Sequence, residues 1–303
     1  MLIESQEDVT TAVLAGLEGT PDARIREILQ SLVRHLHGFI RETRLTEREF
    51  QQAVGHVIAL GQKTTASHNE VMLACGTLGV SNLVALLNNG QGGTRPTQAN
   101  NLGPFWREAA PHCKDGESLL RSPVAGPPLF FKGRVLDTEG RPVAGVEVDV
   151  WHSTPEGLYE NQDPTQAEMN LRGVFTTLAE GTFSFRSVRP AGYPVPLDGP
   201  TGALIRATGR HNLRPAHLHF LLYKPGYKTI ASQVYPADDP HLETDSQYGV
   251  TKALVVDYAL HEDGPAPAPD VTGPWYSIAF DFTIEAGDAR RPRAPITAKA
   301  MAA

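Results

Sequence analysis

Arg214-Pro215-Ala216-His217-Leu218-His219-Phe220-Leu221-Leu222-Tyr223 runs into the turn-forming Lys224-Pro225-Gly226. After Pro215 the stretch is mostly apolar and free of glycine, and it reads as a β-strand. Residues two apart on a strand point to the same face. His217 and His219 therefore project together, while Leu218 and Phe220 face the other way. Two imidazoles held side by side on stiff backbone make half of a metal site. His35-Leu36-His37 repeats the tripeptide inside a helical pattern, where residues two apart diverge. That pair reads as ordinary surface or boundary histidines.

Outward from this strand, the chain changes period once. Ile25, Ile28, Leu29, Leu32, Val33, Leu36 and Ile40 follow at helical spacing, with Thr20 as cap and Pro21 in the first turn. Thr46 to Glu49 forms a capping box ahead of Phe50, Val54, Val57 and Ile58. Ser67 to Glu70 forms a second box, opening an apolar run from Val71 through Leu87. Asn88 to Pro96 breaks the helical pattern and marks the boundary. Beyond it, strands are expected over 129–136, 146–150, 181–185, 203–207, 217–223, 229–235, 251–258 and 276–284. No long helical patterns alternate with them, so a parallel sheet covered by helices is not expected. The fold class is mainly β with α. A helical N-terminal domain, residues 1–98, precedes a mostly antiparallel β-sandwich, residues 99–303, that carries the metal site.

The 303 residues carry a formal charge of -7 and no basic cluster, which argues against nucleic acid and anionic membranes as partners. No apolar run approaches the roughly 20 residues of a membrane span. Cys75 and Cys113 are the only cysteines, too few for a disulfide framework or a thiolate cage. With no signal pattern over Met1 to Ser5, a cytoplasmic location is expected.

Two histidines need further ligands. Carboxylates are common enough to stay open as partners. Tyr159, in a polar turn after a strand, and Tyr193, in Pro190-Ala191-Gly192-Tyr193-Pro194-Val195-Pro196, stand out by context. A phenol becomes a ligand only beside a strongly Lewis-acidic ion that holds it as phenolate. Ferric iron is hard enough for that, whereas zinc or ferrous iron more often takes His, carboxylate or Cys.

The sequence resembles the intradiol ring-cleaving dioxygenases, which include catechol, chlorocatechol and hydroxyquinol 1,2-dioxygenases. The stretches that carry the resemblance are 77–81, 102–105, 145–152, 157–159, 189–194, 198–200, 214–219 and Ser232-Gln233. The resemblance implies one non-haem Fe(III) ion per chain, with Tyr159, Tyr193, His217 and His219 as ligands. It places Tyr193 and His219 axially, with Tyr193 the ligand that leaves the iron. It implies roles beside the iron for Arg214 and Gln233, and a substrate pocket near Leu73, Gly76, Pro104, Phe105, Val195, Pro196 and Arg214. It also implies a homodimer seamed by the N-terminal helices, with a phospholipid bound there.

The implied reaction is cleavage of a catecholic ring by O2 between its two hydroxylated carbons. Tyr193 to Pro196, Asp198 to Pro200 and Leu102 to Phe105 resemble the hydroxyquinol branch, giving 3-hydroxy-cis,cis-muconate or maleylacetate from benzene-1,2,4-triol. Catechol to cis,cis-muconate is the alternative. Some hydroxyquinol enzymes carry an Asp just before the Thr-Leu-Gly-Val-Ser segment, and here that position is Gly76. Trp106 stands where Tyr is more usual. Two other classes remain open. Gly133 to Trp151 also resembles the strand-turn-strand of transthyretin-like binding modules without catalytic function. A zinc hydrolase is disfavoured by the lack of HExxH and of an obvious general-base Glu beside the histidines.

Overall fold

The structure, a computed structural model, describes residues 2–89 and 96–300. It divides into two compact units, Met1–Ile58 and Ala59–Ala303. Most of the Asn88 to Pro96 break expected to separate the domains falls outside the described residues.

In the first unit, α1 (Gln6–Leu17) opens with a capping box made by Ser5 and Asp8. Asp22, rather than Thr20, caps α2 (Ala23–Thr43), accepting from the amides of Arg24 and Ile25. The box at Thr46 and Glu49 opens α3 (Glu47–Lys63) as expected, and the division between the units falls within this helix. None of the three helices has a buried residue. The stripe of α2 is left open, with Leu32 56% and Phe39 50% exposed. His35 and His37 lie in α2, where His37 meets the Thr10 hydroxyl at 2.9 Å.

The second unit starts with α4 (Glu70–Thr77) and α5 (Val80–Asn88), parted at Gly79, whose φ of 72° ends the first helix. The expected box at Ser67 does not form. Asn69 caps α4 by accepting from Met72, and the Glu70 carboxylate instead accepts from the Thr201 amide at 2.8 Å. Among the described residues no single helix is long and apolar enough to cross a membrane.

The strands are β1 (Pro128–Asp137), β2 (Glu147–Trp151), β3 (Arg172–Thr176), β4 (Thr182–Val188), β5 (Tyr193–Pro194), β6 (Leu213–Arg214), β7 (Leu218–Tyr223), β8 (Ile230–Pro236), β9 (Val255–Val256), β10 (Ala259–His261) and β11 (Trp275–Ile284). They form a four-stranded sheet, β10-β11-β1-β4, a five-stranded sheet, β3-β2-β7-β8-β9, and the short pair β5-β6. Most pairings are antiparallel, as expected, but β1 pairs with β11 and β8 with β9 in parallel. The expected strand over 203–207 is a helix, α6 (Pro200–Ala207), with Gly199 at its cap and proline in its first turn. A short apolar run fits either period, and the Gly-Pro start was the helix signal. Of 251–258, only Val255–Val256 pairs, after a 3-10 turn at Lys252–Leu254. The strand β3 lies outside the expected set.

Leu218, Phe220 and Leu222 on β7 and Val148 and Val150 on β2 enter the core together with Phe131, Phe183, Phe185 and Phe282. The alternate residues of these strands, Leu221 and Trp151, join Phe105, Trp106, Tyr159 and Tyr193 in a second cluster. The period of two therefore turns His219 away from the core and towards that second cluster.

Candidate metal centre

His217 sits one residue before β7, and His219 pairs with Trp151 of β2 and Gln233 of β8. The two imidazole Nε2 atoms stand 3.1 Å apart. Tyr159 Oη lies 3.2 Å from His217 Nε2 and 3.3 Å from Tyr193 Oη, and Tyr193 Oη lies 3.5 Å from His217 Nε2. All four residues are buried. Two short features bring Tyr193 into place. Its strand β5 pairs with β6, opposing Tyr193 to Arg214. Gly157 adopts φ 84°, and a Cβ there would stand 2.5 Å from the Tyr193 Cβ. Only glycine allows that close approach. Trp151 stacks on His219, with rings 8° from parallel and 4.6 Å apart.

The protonation pattern follows from the partners. His217 Nδ1 lies 2.8 Å from the Pro215 carbonyl, which can only accept. Nδ1 therefore carries the proton and Nε2 the lone pair. Burial, aided by the charge of Arg214, pushes the His217 pKa down to about 3. Burial and then His217 push His219 well below its ordinary value. Both rings are neutral donors at neutral pH. Burial raises Tyr159 and Tyr193 above the ordinary phenol value, so neither ionises unaided.

Two donors each about 2.1 Å from one ion, at about 100° to each other, stand about 3.2 Å apart. The separations of 3.1 to 3.5 Å match that spacing. Among the described residues no group of three or more His, Cys, Asp and Glu is placed to hold a metal. The phenols are what complete this set. Two neutral nitrogens with two oxygens that ionise only beside strong positive charge suit a hard trivalent cation. Uptake would expel the phenol protons, so affinity should rise with pH.

Arg214 and Gln233 meet beside the cluster. Arg214 Nη1 lies 3.3 Å from His217 Nε2, and Nη2 donates to Gln233 Oε1 at 3.1 Å. The carboxylate of Asp245 accepts from Arg214 Nε and Nη2 at 3.0 and 3.2 Å, with both residues buried. Gln233 Nε2 donates to the carbonyl and the side-chain oxygen of Asn101 at 2.9 and 3.1 Å, and Gln233 Oε1 also accepts from the Tyr235 hydroxyl.

Leu73, Gly76, Pro104, Phe105, Val195, Pro196 and Arg214, gathered from distant parts of the chain, line one pocket with Tyr193. Its side chains close around a cavity of about 10 Å³, room for about one water molecule. The wall also includes Met72, Ser81, Asn101, Gly103 and Gln247, which sequence reasoning did not select. No local pattern distinguishes Asp245-Ser246-Gln247 from an ordinary polar turn.

A helical N-terminal region ahead of a mixed β-sandwich, with two phenols and two imidazoles converging beside an apolar pocket, defines a dioxygenase framework. The family model described as Dioxygenase matches residues 102–285, and the one described as Catechol dioxygenase N terminus matches 22–94. The chain belongs to the intradiol ring-cleavage dioxygenases and is an enzyme of that class. It is 40% identical over 281 residues to 6-chlorohydroxyquinol 1,2-dioxygenase of Cupriavidus pinatubonensis, covering 92% of this chain and 97% of that one. Hydroxyquinol 1,2-dioxygenase of Pseudomonas putida superposes with a TM-score of 0.83 at 37% identity, covering 93% and 99%. Catechol 1,2-dioxygenase of Pseudomonas arvilla gives 0.81 at 30%, covering 96% and 99%. The reading as a non-catalytic transthyretin-like module is thereby set aside.

Proposed function

We propose that the enzyme cleaves benzene-1,2,4-triol between its adjacent hydroxylated carbons, using O2 and one Fe(III) ion held by Tyr159, Tyr193, His217 and His219. Both oxygen atoms enter the product, so one triol and one O2 give one 3-hydroxy-cis,cis-muconic acid, or its tautomer maleylacetic acid, with no other product. The observation that carries this reading is the convergence of four buried donors, two of them phenols, beside a narrow pocket that Tyr193 lines together with Leu73, Pro104, Phe105 and Val195. The names of the relatives support the triol. A second reading, catechol to cis,cis-muconate, is favoured by Gly76, which offers no side-chain acceptor to a third hydroxyl.

When bound, Fe(III) supplies the Lewis acidity that keeps phenols ionised and binds adjacent ring hydroxyls as anions. The chain's own groups do the rest. Tyr193 lies on the pocket wall, so its Oη is placed to receive one substrate proton. Tyr159 and the two imidazoles stay as fixed donors, with Trp151 holding the plane of His219 by stacking. The Arg214 guanidinium faces the pocket and offsets negative charge that builds on the ring. Gln233 accepts from Arg214 while donating to Asn101, and so fixes the direction of the guanidinium. Leu73, Phe105 and Val195 exclude water from the ring faces.

The direct test is oxygen uptake by purified, iron-loaded protein with the triol and with catechol, followed by product spectra. Ferric tyrosinate gives a wine-red preparation, and a metal-loaded protein without visible absorption would remove the phenols from the ligand set. Tyr193→Phe is expected to keep iron, shift the visible band and slow turnover by about 10²–10⁴, the usual worth of a placed proton acceptor. Unchanged turnover in that variant would take Tyr193 out of this role.

The open apolar stripe of α2 fits a homodimer seam, and a phospholipid lying along it is part of the same proposal. A cytoplasmic setting agrees with two free cysteines.

A further inference from the structure

Deepening the proposed triol reading, on which this rests, we infer that Gln247 is the specificity-determining residue that accepts a hydrogen bond from the further ring hydroxyl, its carboxamide filling the place that a side chain at position 76 would take. A Cβ built on Gly76 would have Gln247 as its three nearest atoms, 1.9 Å from Oε1, 3.0 Å from Cδ and 3.9 Å from Cβ. The carboxamide thus occupies the volume that a side chain at position 76 would fill. The two positions form one piece of wall, built here from the Gln247 side.

The amide has a fixed direction. Its Nε2 lies 2.8 Å from Thr77 Oγ1 and 3.4 Å from the Ser246 carbonyl. A carbonyl only accepts, so the nitrogen faces Ser246 and Thr77 and the oxygen faces Gly76. Among the described residues nothing donates to Gln247 Oε1. The backbone is held as firmly. Asp245 accepts from the amides of Gln247 and Gly249 at 3.1 and 2.8 Å while gripping Arg214. Gln247 is therefore positioned through one carboxylate relative to the guanidinium beside the metal cluster.

The remaining polar groups on the pocket wall do not supply this acceptor. Arg214 only donates. The side-chain oxygen of Asn101 is taken by Gln233. Tyr193 belongs to the diol end of the ring. The Ser81 hydroxyl both donates and accepts, so it sets no preference between a ring hydroxyl and water. Met72, Leu73, Pro104, Phe105, Val195 and Pro196 offer no side-chain polar atom. A free amide oxygen on the pocket wall favours a ring that brings a donor and leaves an unmet acceptor when the ring lacks one.

The test is the ratio of kcat/KM for benzene-1,2,4-triol to that for catechol, measured on iron-loaded full-length enzyme. Gln247→Met keeps length and removes the acceptor. It is expected to lower the ratio about tenfold, the worth of one neutral hydrogen bond, mostly through a higher KM for the triol. Gly76→Asn/Gln247→Ala moves the acceptor to the other side of the same space and is expected to restore the ratio to within about threefold of the parent. Ser81→Ala should leave the ratio in place. A Gln247→Met enzyme that keeps its visible band and a ratio within twofold of the parent overturns the inference, as does a double variant no better than Gln247→Met. Should Gln247→Met fail to fold, Gly76→Ala, which pushes the amide aside, must lower the ratio or the inference falls. If the parent takes up no oxygen with either ring, the triol reading itself fails and this inference with it. Failure of the inference alone leaves parental turnover of both rings intact.

Discussion

His219→Ala protein is expected to purify without visible colour, retaining iron more than about 100-fold less tightly than the parent. Loss of an outer partner of a ligand typically costs 10–100-fold, and removing the ligand itself should cost more. Turnover should fall with the iron and not return when excess ferrous or ferric salt is added. His219 is buried between the stacked Trp151 and the Nε2 of His217. Alanine removes the nitrogen and leaves a gap, and the adjacent Arg214, which carries only N–H groups, cannot replace it. The check is metal content by mass spectrometry, the visible spectrum and oxygen uptake. A colourless but fully active variant would remove His219 from the cluster's function.

Arg214→Met should carry the second large effect, on stability as well as rate. Asp245 is 5% exposed, and Arg214 is its only charged partner among the described residues. Removing one member of a buried pair typically costs about 3–5 kcal/mol, because the other charge is left unpaired. The sign with pH follows from Asp245. In the folded parent, burial pushes its carboxyl up, but Arg214 and the two backbone amides outweigh that and hold it below the ordinary value. That contribution is fully present at neutral pH and is lost as pH falls through the depressed folded value. In the variant the guanidinium is gone and burial raises the carboxyl. Its stability should therefore improve relative to the parent as pH falls from about 8 towards 5, the range in which a raised carboxylate takes up its proton. Urea unfolding at several pH values measures this directly. Arg214→Met/Asp245→Asn should recover part of the loss, whereas turnover should stay about 10²–10³ below the parent because the cation facing the ring is still missing. A deficit unchanged from pH 8 to pH 5 would place its origin in lost packing instead.

Local patterns carried much of the architecture. The alternation of Leu218, His219, Phe220 and Leu221 assigned one face to the core and the other to chemistry, and β7 has that division. The Thr46 and Glu49 box opens its helix. Other signals fail where two local structures compete for the same residues. The pattern at Ser67 assigns Glu70 to a capping box, yet its carboxylate serves the first turn of α6, which is distant in sequence. Residues 203–207 are too short a run for period to separate strand from helix. The parallel pairing of β1 with β11 joins segments more than a hundred residues apart, and no window of sequence contains both.

The candidate site was legible as types and order of residues rather than as a place. Two histidines two apart on a strand must share a face, because the pleat leaves no choice, so half of the cluster was determined by the sequence alone. The phenols of Tyr159 and Tyr193 come from separate turns. Their convergence depends on the β5-β6 pairing and on the room Gly157 makes beside Tyr193. Asp245 and Gln247 lie in a segment with no local signature. They acquire meaning only because folding carries that segment against Arg214 on one side and Gly76 on the other. Short-range sterics and periodicity act within a few residues and can be read along the chain, whereas a pocket wall is a sum of contacts between segments whose separation only the packed core sets.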